Sequence, residues 1–195
     1  MFRTLSTLLT NMIKYYKHLD LGIDSILKDE SILYTNPPEQ YQYRLSILDL
    51  NPDFVRLIEQ KNLLIMIAEV FRLDAAHRRW GVHIDGFKTK DFPKLNFIHG
   101  NKQSPMIWYK TKEEQDKNSL ETVTGTPYRY LEDDEVVEVD RTLIEYPTLV
   151  QAGVPHTVQL IGNETRWVVS IALFKDFKLP SIQDLSEVFK EYHKV

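Results

Sequence analysis

The sequence predicts a mainly β fold with flanking helices, an antiparallel sandwich or barrel. Three observations predict it. Between residues 41 and 175 the chain runs through many short segments rich in β-branched and aromatic residues, separated by turn residues. The strand–helix–strand alternation that builds a parallel sheet is absent from that stretch. Helical spacing of apolar residues is concentrated near the two ends. The 195 residues fit one domain with a proper core, divided into helical support over 1–40, a β core over 41–175 and a terminal helix over 176–195.

Taken in order, Leu5, Leu8, Leu9, Met12, Ile13 and Tyr16 follow amphipathic helical spacing, with Arg3, Thr7, Asn11 and Lys14 between them. Thr7, Thr10 and Asn11 interrupt the apolar centre that a secretory signal needs, so a packed helix is expected. A second short helix is expected over 23–28. Strands are expected over 41–48, 63–73, 81–86, 95–99, 106–110, 136–145, 148–152, 156–161 and 166–174. Between the first two, Asn51-Pro52-Asp53 carries a cap and an early proline, which predicts a helix through residue 60. Pro180 and Ser181 open a last helix whose buried stripe is Leu185, Val188, Phe189 and Tyr192. The segment 111–127 is the most polar in the chain and reads either as a solvated surface loop, the preferred reading, or as a lid beside an active-site mouth. Trp80, Trp108 and Trp167 read as core, His77 as a loop residue and His99 as a half-exposed strand residue.

Composition removes several classes of chemistry. Without cysteine there can be no disulfide, thiolate nucleophile, iron–sulfur cluster or cysteine zinc site. Any metal must be held by His, Asp or Glu. A net charge of -4 argues against nucleic acid as a partner. No apolar run is long enough to span a bilayer. A soluble cytoplasmic protein is the expectation.

His83-Ile84-Asp85 is the first chemical signal. On a strand, alternation sends His83 and Asp85 to one face, with Cβ atoms about 6.5–7 Å apart, so both can reach one ion. His156 supplies a third ligand, at the start of another strand, where Pro155 blocks helix. Two histidines and a carboxylate with open positions form the arrangement of non-haem iron(II) oxygenases. The open positions are what make it useful, since a chelating co-substrate and dioxygen need them. Arg166 lies ten residues beyond His156 and opens an apolar strand. Its guanidinium either points to water or binds a carboxylate bidentately.

Together His83-Ile84-Asp85, His156 and Arg166 resemble the signature of the Fe(II)/2-oxoglutarate-dependent dioxygenases. Leu95-Asn96-Phe97 and Met106-Ile107-Trp108-Tyr109 resemble strands that follow the metal motif in prolyl-hydroxylase-like members. Pro147-Thr148-Leu149-Val150 and Gly153-Val154-Pro155-His156 resemble the lead-in to the distal histidine. The likeness covers about residues 80–174. It implies a double-stranded β-helix, the cupin-like jelly roll. It also implies His83, Asp85 and His156 as iron ligands, and Arg166 on the distal carboxylate of 2-oxoglutarate. Ser170, Tyr109 and Asn96 are implied as further co-substrate contacts. The strands of His156 and Arg166 form either a simple hairpin or, as the family fold implies, members of opposite sheets.

Departures from subfamilies narrow the expectation. Prolyl 4-hydroxylases commonly carry lysine where this chain has Arg166. The arginine-rich pattern of nucleic-acid demethylases is absent, and the presence of Asp85 favours hydroxylation over halogenation. The expected activity is hydroxylation of an amino-acid, peptide or small-metabolite substrate, with Fe(II), 2-oxoglutarate and dioxygen. The rivals are a cupin-type metal enzyme that does not use 2-oxoglutarate, a non-catalytic jelly-roll binding module and a zinc hydrolase. Neither oligomeric state nor the primary substrate is encoded legibly.

Overall fold

The computed structural model describes residues 15–35, 40–86, 91–112 and 120–194. These fold as two six-stranded antiparallel sheets. The first sheet contains β1 (Tyr16–His18), β2 (Gln42–Arg44), β3 (Leu63–Leu73), β5 (Pro93–Gly100), β10 (Thr148–Gln151) and β12 (Arg166–Lys175), in the order β1-β10-β5-β12-β3-β2. The second contains β4 (His83–Asp85), β6 (Met106–Thr111), β7 (Leu120–Glu121), β8 (Pro127–Tyr130), β9 (Val136–Thr142) and β11 (His156–Val158), in the order β7-β8-β4-β11-β6-β9. Helices α1 (Ile32–Thr35), α2 (Pro52–Gln60) and α3 (Ile182–Val188) complete the named elements.

Strand alternation divides the first sheet into two faces. On the outer face Ala68, Val70, Leu95, Phe97, Leu149, Val169, Ile171 and Leu173 form one buried cluster with Phe54, Leu57 and Ile58 of α2 and with Ile182, Leu185 and Phe189 at α3. Phe54 meets Phe97 edge to face, 5.5 Å between ring centroids. The helices are therefore pinned by apolar burial, and they leave the other face of the sheet to build a site. On that face the register places Glu69, Ser170 and Asn96 side by side across β3, β12 and β5.

Both well-formed helices start where capping chemistry predicts. The Asn51 side chain accepts from the Asp53 N–H, with Pro52 at the first turn. At α3 Ser181 and Asp184 form a reciprocal capping box, each side chain taking the other's backbone N–H. Ser181→Ala is expected to cost about 1 kcal/mol of stability in a denaturant titration. The loss is expected to leave the inner face of the first sheet untouched, because α3 packs on the outer face.

Several expected elements differ. Tyr16 opens β1 instead of closing a helix, and residues 1–14 of that expected helix lie outside the described residues. Residues 23–28 are irregular. Ile26 and Leu27 are buried there, but by a single bridge from Leu27 to Leu50 and by hydrogen bonds through Ser25, with no helical ladder. The strand expected over 41–48 stops at Arg44, because Ser46 caps a 3-10 turn at Ile47–Asp49. The polar segment 111–127 is not a plain loop. Its described part contains β7, which pairs with β8 around a turn at Gly125 (φ 81°). The strands of His156 and Arg166 lie in different sheets, so they do not form a hairpin.

Candidate metal centre

His83 and Asp85 project from β4 and His156 from β11, whose pairing sets His156 directly opposite His83. The potential ligand atoms of the three lie within 4.8 Å of one another. The two imidazole rings are 4.4 Å apart between centroids, and His83 Nε2 is 3.6 Å from Asp85 Oδ1. Each ring is oriented from behind. His83 Nδ1 lies 2.7 Å from the Gly81 carbonyl and His156 Nδ1 lies 2.9 Å from the Val154 carbonyl. A carbonyl only accepts, so Nδ1 carries the proton in both rings and Nε2 keeps its lone pair for an ion.

The electrostatics suit the same task. Burial, reinforced by His83, pushes His156 down to a pKa of about 3, so its ring is neutral near neutral pH. Burial works against the Asp85 carboxylate, but Lys94, His83 and His156 outweigh it and hold the pKa at about 2. The trio therefore offers two lone pairs and one negative charge, which matches a divalent cation that retains open positions.

The trio lines a cavity of about 560 Å³ between the sheets. Arg166, Ser170 and Asn96 line it from the first sheet, as the sequence leads one to expect. Arg166 is 1% exposed, and among the described residues neither its Nε nor its Nη1 has a hydrogen-bond partner. Burial alone moves its pKa, down to about 9, with no neighbouring anion holding it up. Ser170 donates to Asn96 Oδ1 at 2.7 Å. The rest of the wall is mixed, with the aromatic Tyr41, Phe71, Trp80, Tyr128 and Tyr130 alongside aliphatic and a few polar side chains, Lys94 among them. Tyr130 lies so close to Gly81 that a Cβ there would strike its ring.

Two sequence expectations about this site change. Tyr109 does not line the cavity. It packs against Val82, Ile84, Leu131 and Val136 on the far face of the second sheet. Alternation along β6 sends it there, since Met106, three residues earlier, faces the cavity, and the irregularity opposite it lies in β9, where Val139 is the extra residue. Trp80 lines the cavity, whereas Trp108 is fully buried core, its Nε1 donating to the Gln151 carbonyl. Glu121, Thr122 and Val123 of the polar segment also stand at the cavity.

The sequence reading passed over Lys94 and Glu69. Lys94 is 3% exposed, and its Nζ lies 2.8 Å from Asp85 Oδ2. Burial disfavours its charge, but Asp85 and Glu69 more than compensate and raise its pKa. The available signals were Glu69 inside the expected apolar strand 63–73 and Lys94 immediately before the one expected over 95–99. Lysine there ordinarily points to water.

No family model and no curated protein sequence matches this chain. Among the described residues no helix is long and apolar enough to cross a membrane. Function is therefore argued from the centre itself.

Proposed function

We propose that this chain is an iron(II)- and 2-oxoglutarate-dependent oxygenase on a double-stranded β-helix, hydroxylating an amino-acid, peptide or small-metabolite substrate. The observation that carries the reading is Arg166, a guanidinium buried without an anion in the cavity that also holds His83, Asp85 and His156. An unpaired charge of that kind costs several kcal/mol unless a ligand supplies its partner. A dicarboxylate that chelates a metal at one end and meets a guanidinium at the other answers both features at once. Two antiparallel sheets facing across the cavity, with the strands of His156 and Arg166 in opposite sheets, support the jelly-roll topology.

His83, Asp85 and His156 would hold iron(II), which when bound supplies the dioxygen chemistry coupled to conversion of 2-oxoglutarate into succinate and carbon dioxide. The rest is the work of the chain. The Gly81 and Val154 carbonyls keep both imidazoles aimed inward. Arg166 binds the distal carboxylate and so sets the orientation of the co-substrate, spending binding energy away from the reacting carbon. Ser170 and Asn96, hydrogen-bonded to each other beside it, present further polar contacts. The aromatic and aliphatic part of the wall excludes water and receives the primary substrate.

Anaerobic addition of Fe(II) and 2-oxoglutarate is expected to give a weak visible charge-transfer band, which His83→Ala abolishes. A wild-type protein that shows no band with both added would sink the reading. Succinate formation across a panel of amino acids, peptides and metabolites then identifies the primary substrate.

A further inference from the structure

Lys94 and Glu69 lie 3% and 0% exposed on the inner face of the first sheet. Lys94 Nζ touches Asp85 Oδ2 at 2.8 Å and stands 3.7 Å from Glu69 Oε2. The other oxygen of Glu69, Oε1, accepts hydrogen bonds from Thr124 and Thr126 in the turn between β7 and β8. Removing two ions from water costs several kcal/mol each, and a buried pair seldom returns more than that cost to stability. A stabilising role is therefore a weak explanation for keeping them.

Their effect on Asp85 is specific. The ammonium occupies Oδ2, while Oδ1 faces His83 Nε2 at 3.6 Å. A carboxylate can hold a cation through one oxygen or through both, and an ammonium on Oδ2 leaves one. We propose that Lys94, held in place by Glu69, is a positioning residue that limits Asp85 to single-oxygen ligation and thereby keeps a coordination position free for a chelating 2-oxo acid. This rests on the metal-centre reading above. Glu69 has a second part in it. It offsets the charge of Lys94, so the ammonium restrains the ligand without adding a net positive charge beside a divalent ion. Lys94 also lines the cavity, but the role assigned to it here is exercised through Asp85.

The test is calorimetric titration of Mn(II), followed by titration of 2-oxoglutarate into the Mn(II)-loaded protein, in wild type and in the double variant E69Q/K94M. The double substitution removes one positive and one negative charge, so the net charge of the cavity is unchanged, and the amide of E69Q still accepts from both threonines. Freed of Lys94, Asp85 is expected to bind with both oxygens. Mn(II) affinity then rises about three- to tenfold, while 2-oxoglutarate affinity falls about ten- to a hundredfold, the range for outer-shell partners of a metal ligand. Opposite shifts are the signature of this role. Damage to the fold weakens both affinities, a lysine that contacts the co-substrate directly weakens only the second, and either pattern overturns the proposal. Should the double variant fail to fold, K94Q decides. It is compared with K94M, which removes the same charge but cannot donate to Oδ2, so 2-oxoglutarate affinity at least about tenfold weaker in K94M than in K94Q supports the role, and equal affinities in the two overturn it. Wild type separately tests the underlying reading. If it takes up no Mn(II) the metal centre itself is wrong and Lys94 falls with it, whereas wild-type binding without the opposite shifts removes only Lys94.

Discussion

His156→Ala is expected to remove metal binding altogether, in a variant that remains folded. His156 is the sole ligand from β11, and its Nε2 is directed at the β4 pair because Nδ1 is tied to the Val154 carbonyl. With it gone, one imidazole and one carboxylate remain, a set too small to hold a divalent ion against water. The loss should exceed the roughly 10–100-fold that follows removal of an outer partner. The backbone of β11 still pairs with β6 and β4 in the variant, and the ring it loses is a neutral one, so no buried charge is stranded. Calorimetry with Mn(II) and a circular-dichroism melt together check this. His99→Ala is the control, since His99 pairs with Glu30 and does not line the cavity. If His156→Ala bound Mn(II) as wild type does, the ion would have to sit elsewhere.

The second large effect runs in two directions. Arg166→Met is expected to stabilise the protein without ligand and to abolish its stabilisation by 2-oxoglutarate. The guanidinium is buried at the cavity with no anion to offset it, so its replacement by an apolar side chain relieves a desolvation cost. A gain of about 1–3 kcal/mol is reasonable by comparison with other buried charges replaced by apolar residues. In wild type 2-oxoglutarate is expected to repay that cost. At a hundred times its Kd it adds about 2.7 kcal/mol to folding stability, and Arg166→Met should show almost none of this at the same concentration. Thermal melts of metal-loaded protein with and without 2-oxoglutarate measure both quantities. A variant that is less stable and equally responsive to the ligand would mean that Arg166 is a structural residue.

What the sequence revealed about the site depended on short-range regularity. His83 and Asp85 are two residues apart, and the period of a strand alone puts them on one face. The bounds of β3 match the expected 63–73, because an eleven-residue apolar run between turn residues leaves little alternative. Both long helices began at their caps, since capping is a property of three or four consecutive residues. Where the regularity was accidental it misled. Ile23, Ile26 and Leu27 mimic a helical stripe, yet Ser25 and Asn51 divert the backbone hydrogen bonds and no helix forms. In 111–127 the residues are too polar to show strand alternation, so β7 could not be read. Glu69 draws the turn beyond β7 toward the first sheet through Thr124 and Thr126, and that contact joins residues more than fifty positions apart.

By itself the sequence determined the chemical inventory, which is a His-x-Asp pair, a later histidine after proline, an arginine opening an apolar strand, and no cysteine at all. It also determined the mainly β character, because side-chain period and turn chemistry act within a few residues. Only the tertiary structure decided that β11 pairs with β4, so that the third ligand meets the first two, and that Arg166 looks into their cavity from the opposite sheet. It alone put Tyr109 on the wrong face and Lys94 on Asp85. The physical reason is common to all four. Strand pairing, the choice of which sheet face closes over the cavity and the burial of an ion pair are set by contacts between distant segments, and no local pattern along the chain carries their energies.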